Sequence, residues 1–427
     1  MKRIIALLMA AVLAFALVAC GAENTETAGG GGGSQSGTQD SGQGGAQSDS
    51  RAGAAAAKTI KVWASQDDQE LTRQLADQFI AGYTAFDVTI DLGVVGEPDA
   101  WKSYSEDPAA AADVFFFPND QLRDFVRAGA LYEVTRNKAD IVARNIESSI
   151  EAASLEGKLW AYPATADNGY FLYYDKSVLN EDDVKSLDRI LQVSADAGKR
   201  FLMGLDDNGW YLASFFLGAG CTLSVGPDGK QVCDFNNAKG FAAANAIATL
   251  TNHPAYINGD DAILVGGMGG SIAAGVSGTW NAEDIAGILG DNYGATKLPT
   301  FTMDGQQVQM GSFGGYKLVG VNSTITDPER LVVAMDFADF LTNEQSQLAR
   351  FSARAMGPSN EKAGANPAVQ ANIALAALAA QNVFATSQNF VLGEYWTPAG
   401  ALGAALVNHT SNDVQWLLDN MVSQIQA

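Results

Sequence analysis

Side chains able to do covalent or metal chemistry are scarce in this chain of 427 residues, which has two histidines and three cysteines. His253 and His409 are too few to build a histidine metal site or a catalytic triad, and no Gly-x-Ser-x-Gly, His-Glu-x-x-His, Walker loop or spaced Cys/His cluster occurs. The Gly-rich run 266–271 has no following lysine and reads as a flexible turn. No catalysis, metal or cofactor is therefore expected. Cys221 and Cys233 flank Pro227-Asp228-Gly229, a turn signal between two short β-like runs. A hairpin would bring them opposite each other, as a disulfide outside the cytoplasm or as two buried free thiols. Among the aromatics, Trp63, Trp160 and Trp416 lie in strand or helix patterns that suit core packing, and Trp101 fits either use. Trp210, Trp280 and Trp396 lie beside Gly, Asn, Asp or Pro in non-periodic sequence, where an aromatic is a better binding candidate. Asp67 and Asp68, before Gln69-Glu70-Leu71, suit a helix N-terminal cap, and Asp120 suits the cap of a later helix.

The elements that must hold these residues are legible in part. Thr59–Ala64 is a β-branched run, Leu71, Leu75, Phe79 and Tyr83 recur at helical spacing, and residues 86–92 alternate as a strand. Asp113–Phe117 reads as another strand, followed by a helix carrying Leu122, Phe125 and Val126. Strands at 169–174 and 201–205 and a helix over 237–251 extend the pattern, which predicts mostly parallel sheets covered by helices, an α/β chain. Asp327-Pro328-Glu329 opens a helix with an apolar face at Leu331, Met335, Ala338 and Leu341. Ser411 and Asn412 precede a last helix carrying Val414, Leu417, Leu418, Met421 and Ile425. Length suggests two to three domains. The 26 Lys and Arg against 48 Asp and Glu give a net charge of −22, which excludes nucleic acid as a partner.

The N-terminus is built for export. Lys2 and Arg3 precede an apolar stretch from Ile4 to Val18, shorter than the roughly 20 residues that span a bilayer. Residues 1–19 read as a signal peptide ending in Leu17-Val18-Ala19-Cys20, which resembles the lipobox of bacterial lipoproteins; cleavage and acylation (palmitate among the chains) would then fall at Cys20. Residues 20–58 follow as a flexible Gly/Ser/Gln tether spanning on the order of 35 Å. The sequons at Asn322 and Asn408 are discounted because a lipobox implies a bacterial host.

Beyond residue 58 the chain carries DVFFFPNDQLRDFVRAGALYEVT (113–135), LEGKLWAYPATADNGYFLYYDKSVL (155–179), SGTWNAEDIAGILGDNYGATKLPTF (277–301), the run 313–348, AMGPSN (355–360) and GEYWTPAGALGAAL (393–406). In this order, over essentially all of 59–427, these segments resemble the solute-binding proteins of ABC importers, specifically the maltose/maltodextrin-binding type. The resemblance implies a two-lobed periplasmic-binding-protein fold with a hinge and an interlobe ligand cleft. It places an N-terminal lobe at 59–166 plus 318–364 and a C-terminal lobe at 167–317 plus 365–427.

Carried over residue by residue, the family's sugar site falls on Trp280, Trp396 and Trp210 of the second lobe and Phe117 of the first. Its acids fall on Asp67, Asp120 and Asp167. Asp68 stands where the family has a lysine, Asn208 where it has another acid, and Gln121 where the maltodextrin pattern has an arginine. A pyranose offers apolar C–H faces and a rim of hydroxyls, so aromatic platforms ringed by carboxylates and amides suit it. The lost cations put the identity of the sugar, more than the saccharide class, in question. The implied function is capture of malto-oligosaccharide by a monomer and delivery to the transmembrane subunits of an ABC permease. Another oligosaccharide is the alternative within that class. Outside it stand a surface sensor or adhesin and a glycosidase using Asp120 and Asp167 as its carboxylate pair.

Overall fold

A computed structural model describes residues 57–427. The signal peptide, Cys20 and nearly all of the tether lie outside the described residues. In the strand Lys58–Ala64, Ile60, Val62 and Ala64 point inward, and the helix Gln69–Gly82 buries Leu71, Leu75, Ala76 and Phe79 against them. Val88–Val94 pairs parallel with the first strand in register from Lys58↔Val88 to Ala64↔Val94, and Val114–Pro118 pairs parallel on its other side. The first hundred residues of the folded part therefore follow the expected strand–helix alternation.

The first sheet is nonetheless mixed rather than mostly parallel. Its long strand Ser312–Val321 arrives from the second half of the chain and runs antiparallel to both Val114–Pro118 and Tyr162–Gly169. Ala385–Ser387, which the expected boundaries put in the second lobe, pairs parallel with Ser312–Gly314 in this same sheet. The second sheet is mixed too. Phe171–Asp175 runs antiparallel to Ile272–Ser277 and Tyr293–Thr296, while Arg200–Leu202 runs parallel to Ile272–Ser277 and to Tyr256–Ile257. The strands that run from one sheet to the other bring antiparallel pairs into each, which strand spacing alone does not reveal.

Each sheet has its own core. Ile60, Phe115, Phe117, Phe125, Leu318 and Phe337 belong to one, and Tyr170, Leu172, Phe201, Phe215, Phe313 and Tyr395 to the other. Two strands join the lobes. Tyr162–Gly169 lies in the first sheet, and after the single residue Tyr170 the chain continues as Phe171–Asp175 in the second. Ser312–Val321 has Phe313 in the second core and Leu318, Val319 and Val321 in the first.

Several local expectations change. Asp327 caps the helix Pro328–Leu341 as anticipated, accepting from the backbone N–H groups of Glu329 and Arg330. The last helix, Val414–Ile425, is capped by Asp413, which accepts from Trp416 N. Trp416 is 57% exposed, not core, because Leu417, Leu418, Met421 and Val422 form the buried stripe and Trp416 falls on the polar side with Asp419 and Asn420. The hairpin Leu223–Val225/Gln231–Cys233 forms, but Cys233 pairs with Leu223, so Cys221 lies out of step with it. Both cysteines are free, buried thiols, the second of the two arrangements the hairpin allowed. Burial pushes each thiol up to about 12, so neither is reactive at neutral pH. Among the described residues no helix is long and apolar enough to cross a membrane.

Candidate functional site

Two of the loop tryptophans come together. Asn208 caps the helix Gly209–Gly218 by accepting from Tyr211 N at 3.1 Å, which places Trp210 in its first turn; Trp396 begins the helix Trp396–Val407. The two helices approach closely because Gly209 faces Ala399, where an added Cβ would meet the alanine methyl at 2.7 Å. The indole centroids are 6.1 Å apart at 40°. Phe313 lies 5.4 Å from Trp210 and 5.7 Å from Trp396, Tyr170 packs edge-on to Trp210 and Tyr395 to Trp396. Phe313, Tyr170 and Tyr395 are fully buried and the two indoles are half-buried, so a rigid aromatic floor carries a partly open platform.

Asp120 belongs to the turn that ends the first-sheet strand Val114–Pro118. It accepts from Gln388 Nε2 at 3.2 Å, and the Trp396 side chain lies beside it. Gln388 Oε1 in turn accepts from Asn168 at 2.7 Å, and the neighbouring Asn119 donates to Asn389 Oδ1 at 2.5 Å. Gly315 makes room for this network, since a Cβ there would lie 1.9 Å from Gln388 Oε1 and 2.5 Å from Asn119 Oδ1. Burial pushes the Asp120 carboxyl up to about 7, with the charge of Asp124 adding to the shift and its own backbone N–H opposing it.

A second group forms around Asp167. Its Oδ2 accepts from Thr279 Oγ1 and from Gly357 N, each at 2.7 Å. Next to Thr279, Trp280 rests on the Gly278 backbone, donates from Nε1 to Asp261 at 2.7 Å and has Lys317 Nζ 5.9 Å from its ring centroid. Lys317 is buried 3.5 Å from Glu97, and the charges of Glu97, Asp167 and Asp68 hold its pKa up against desolvation. Arg354 reaches Asp68 at 3.3 Å and Asp67 at 3.4 Å.

The candidates thus divide. Trp210, Trp396 and Asp120 form one group; Trp280 and Asp167 form another, anchored on the same two joining strands. Asp68 is buried at the N-cap position of the helix Gln69–Gly82, without a side-chain cap hydrogen bond; Asp67 is exposed, and Asp120 does not cap the helix that follows it. Phe117 is a correction: it is fully buried between Phe115 and Phe125, at 5.9 and 4.8 Å, and has no surface for a ligand. Gln121 uses both ends within the protein, donating to Pro98 O at 2.7 Å and accepting from Trp101 N at 3.0 Å. Asn208 spends its side-chain oxygen on the cap. Two cations from distant segments lie near acids, Arg354 beside Asp67 and Asp68 and Lys317 beside Glu97. Lys317 had a signal, a lone cation in an otherwise uncharged strand; Gln388, Asn168 and Asn119 had none. Two hollows of about 390 and 450 Å³, one beside Tyr83 and Phe340 and one beside Phe215 and His253, lie away from all these groups. Of their carboxylates, Asp336 and Asp339 are already engaged by Arg136 and Arg144 in the first and Asp188 by Thr302 and Gln307 in the second, so the chemistry favours the joining strands.

A family profile described as bacterial extracellular solute-binding protein matches residues 74–377. Among solved structures, one described as being with acarbose is 30% identical, with a TM-score of 0.79, covering 87% of this chain and 99% of that one. A maltodextrin-binding protein from L. casei BL23, solved without ligand, is 26% identical, with a TM-score of 0.72, covering 87% and 100%. The Thermus thermophilus maltotriose-binding protein, bound with maltotriose, shares the fold at a TM-score of 0.72 and 19% identity, covering 86% and 99%. No curated protein matches the chain.

Proposed function

We infer the function from the premise that the chain belongs to the bacterial extracellular solute-binding protein family, whose members bind solutes without catalysing their conversion. The solute is an α-1,4-linked glucose oligosaccharide. The observation that carries this reading is the half-buried Trp210–Trp396 platform beside Asp120, a flat apolar surface with hydroxyl acceptors at its rim. The similar structures at 30% and 26% identity, one described with acarbose and one named a maltodextrin-binding protein, support the same solute class.

Capture works by hinge closure about the joining strands Tyr162–Gly169 and Ser312–Val321. The sugar stacks on the second lobe with Asp167 at the joint, and Asp120 completes its hydrogen bonds as the first lobe (59–166 plus 318–364) closes on the second (167–317 plus 365–427). Ligand favours the closed form only through contacts made there and not in the open form. The closed receptor, a monomer acylated at Cys20 and tethered through residues 20–58, delivers its cargo to an ABC permease. Calorimetric titration of the purified chain with maltotriose, cellotriose and xylotriose tests the solute. Saturable one-to-one binding of maltotriose alone, lost in Trp396→Ala, supports the reading; binding of a β-linked trisaccharide instead transfers it to another oligosaccharide.

A further inference from the structure

Behind Trp280 the joining strands gather polar groups whose hydrogen-bonding capacity is unspent. Thr165 and Asp167 are two residues apart on one strand, on either side of an irregularity in its pairing with Ser312–Val321, and the Asp167 charge acts on Lys317. Lys317 is the cross-strand partner of Thr165. All three are at least nine-tenths buried. Among the described residues, Thr165 Oγ1 and Asp167 Oδ1 have no hydrogen-bond partner. The Lys317 ammonium has three donors to place, and its one ion-pair contact among the described residues is Glu97 at 3.5 Å. Buried polar atoms in folded proteins are almost all paired, and orphaned ones are costly. Two such atoms beside an ammonium with donors to spare mark where an outside group completes them.

The chemistry of the set selects that group. A carboxylate oxygen accepts, an ammonium donates and a threonine hydroxyl does either. An anionic group would face the carboxylates of Asp167 and Glu97, and a cation would face Lys317. A pair of neighbouring hydroxyls meets all three demands, one donating to Asp167 Oδ1 and one accepting from Lys317 Nζ. We propose that Lys317 and Thr165, together with Asp167, form a hydroxyl-reading subsite beneath Trp280 that determines which sugar ring, and which of its hydroxyls, the protein accepts. This rests on the saccharide reading above. Trp280, packed over Gly278 and 5.9 Å from Lys317 Nζ, covers the subsite from the second lobe.

The test separates the two claims. Thr165→Val keeps the side-chain shape and removes one hydroxyl. In the ligand-free chain it deletes an orphan, so the melting temperature stays level or rises, while affinity for maltotriose falls about tenfold. Lys317→Met lowers affinity by about tenfold or more. Among maltotriose analogues lacking single hydroxyls, the one that weakens the unaltered chain has no further effect in Thr165→Val, the non-additivity of a shared contact. If the unaltered chain binds maltotriose and Thr165→Val binds it equally well, bound water alone serves these atoms and the subsite is overturned. If the unaltered chain binds no saccharide, the functional reading fails and the subsite with it.

Discussion

Replacing Asp120 by asparagine is predicted to flatten the pH dependence of stability while weakening ligand capture. Burial pushes this carboxyl from 3.8 up to about 7. Between those values the folded chain keeps a proton that the unfolded chain has released, so stability falls as pH rises through the window, and the full penalty is present above about pH 7. Each pH unit is worth about 1.4 kcal/mol, so the whole window amounts to roughly 4 kcal/mol and the part between pH 5 and 7 to roughly 2–3 kcal/mol. Asparagine is isosteric and uncharged, and its oxygen still accepts from Gln388. Denaturant unfolding followed by tryptophan fluorescence at pH 5 and pH 8 measures the effect. The unaltered chain should lose roughly 2–3 kcal/mol relative to Asp120→Asn over that interval, leaving the variant the more stable at pH 8. Maltotriose affinity at pH 8 should fall in the same variant, because a charged acceptor has become a neutral one. Parallel stability curves for the two proteins would refute the argument that Asp120 is desolvated by the fold.

Gly315→Ala drives a methyl into Gln388 and Asn119, and the overpacking should cost about 1–3 kcal/mol in a thermal melt. The same change should lower maltotriose affinity by disturbing the Asp120 network. Phe117→Ala empties a core position and should cost about 3–5 kcal/mol, yet leave the affinity of the folded protein unchanged, as titration under native conditions would reveal. Because Cys221 and Cys233 are free, dithiothreitol should leave the melting temperature unchanged. Both should then react with Ellman's reagent once the chain is unfolded without reductant.

Much of the fold could be read locally. The first strand, its helix and the parallel strand after it follow from apolar spacing, and the Asp327-Pro328-Glu329 start reports a helix terminus that needs no tertiary information. Sheet direction could not be read, because Ser312–Val321 takes its neighbours from segments about 150 and 200 residues away. Phe117 and Trp416 erred in opposite directions for related reasons. Val114–Pro118 is buried along its whole length, so a phenylalanine at its end is enclosed by Phe115 and Phe125. Trp416 is apolar, but its place on the last helix falls off the buried stripe. The pairing of the candidates was legible where a tryptophan interrupts polar, Gly-rich sequence at a helix start, as at Trp210 and Trp396, which the fold brings together. It was illegible at Gln388 and Asn168, common residue types whose importance comes only from the contact between them. The cysteine pair shows that turn chemistry predicts a hairpin more readily than it predicts which residues face each other across it.

The most direct test of the account is a crystal structure of the protein grown at saturating maltotriose. The account predicts a glucose ring stacked within about 4 Å of the Trp396 or Trp210 ring, with a hydroxyl hydrogen-bonded to Asp120. Sugar found instead in the hollow beside Phe215 and His253, or on no aromatic face at all, would contradict it.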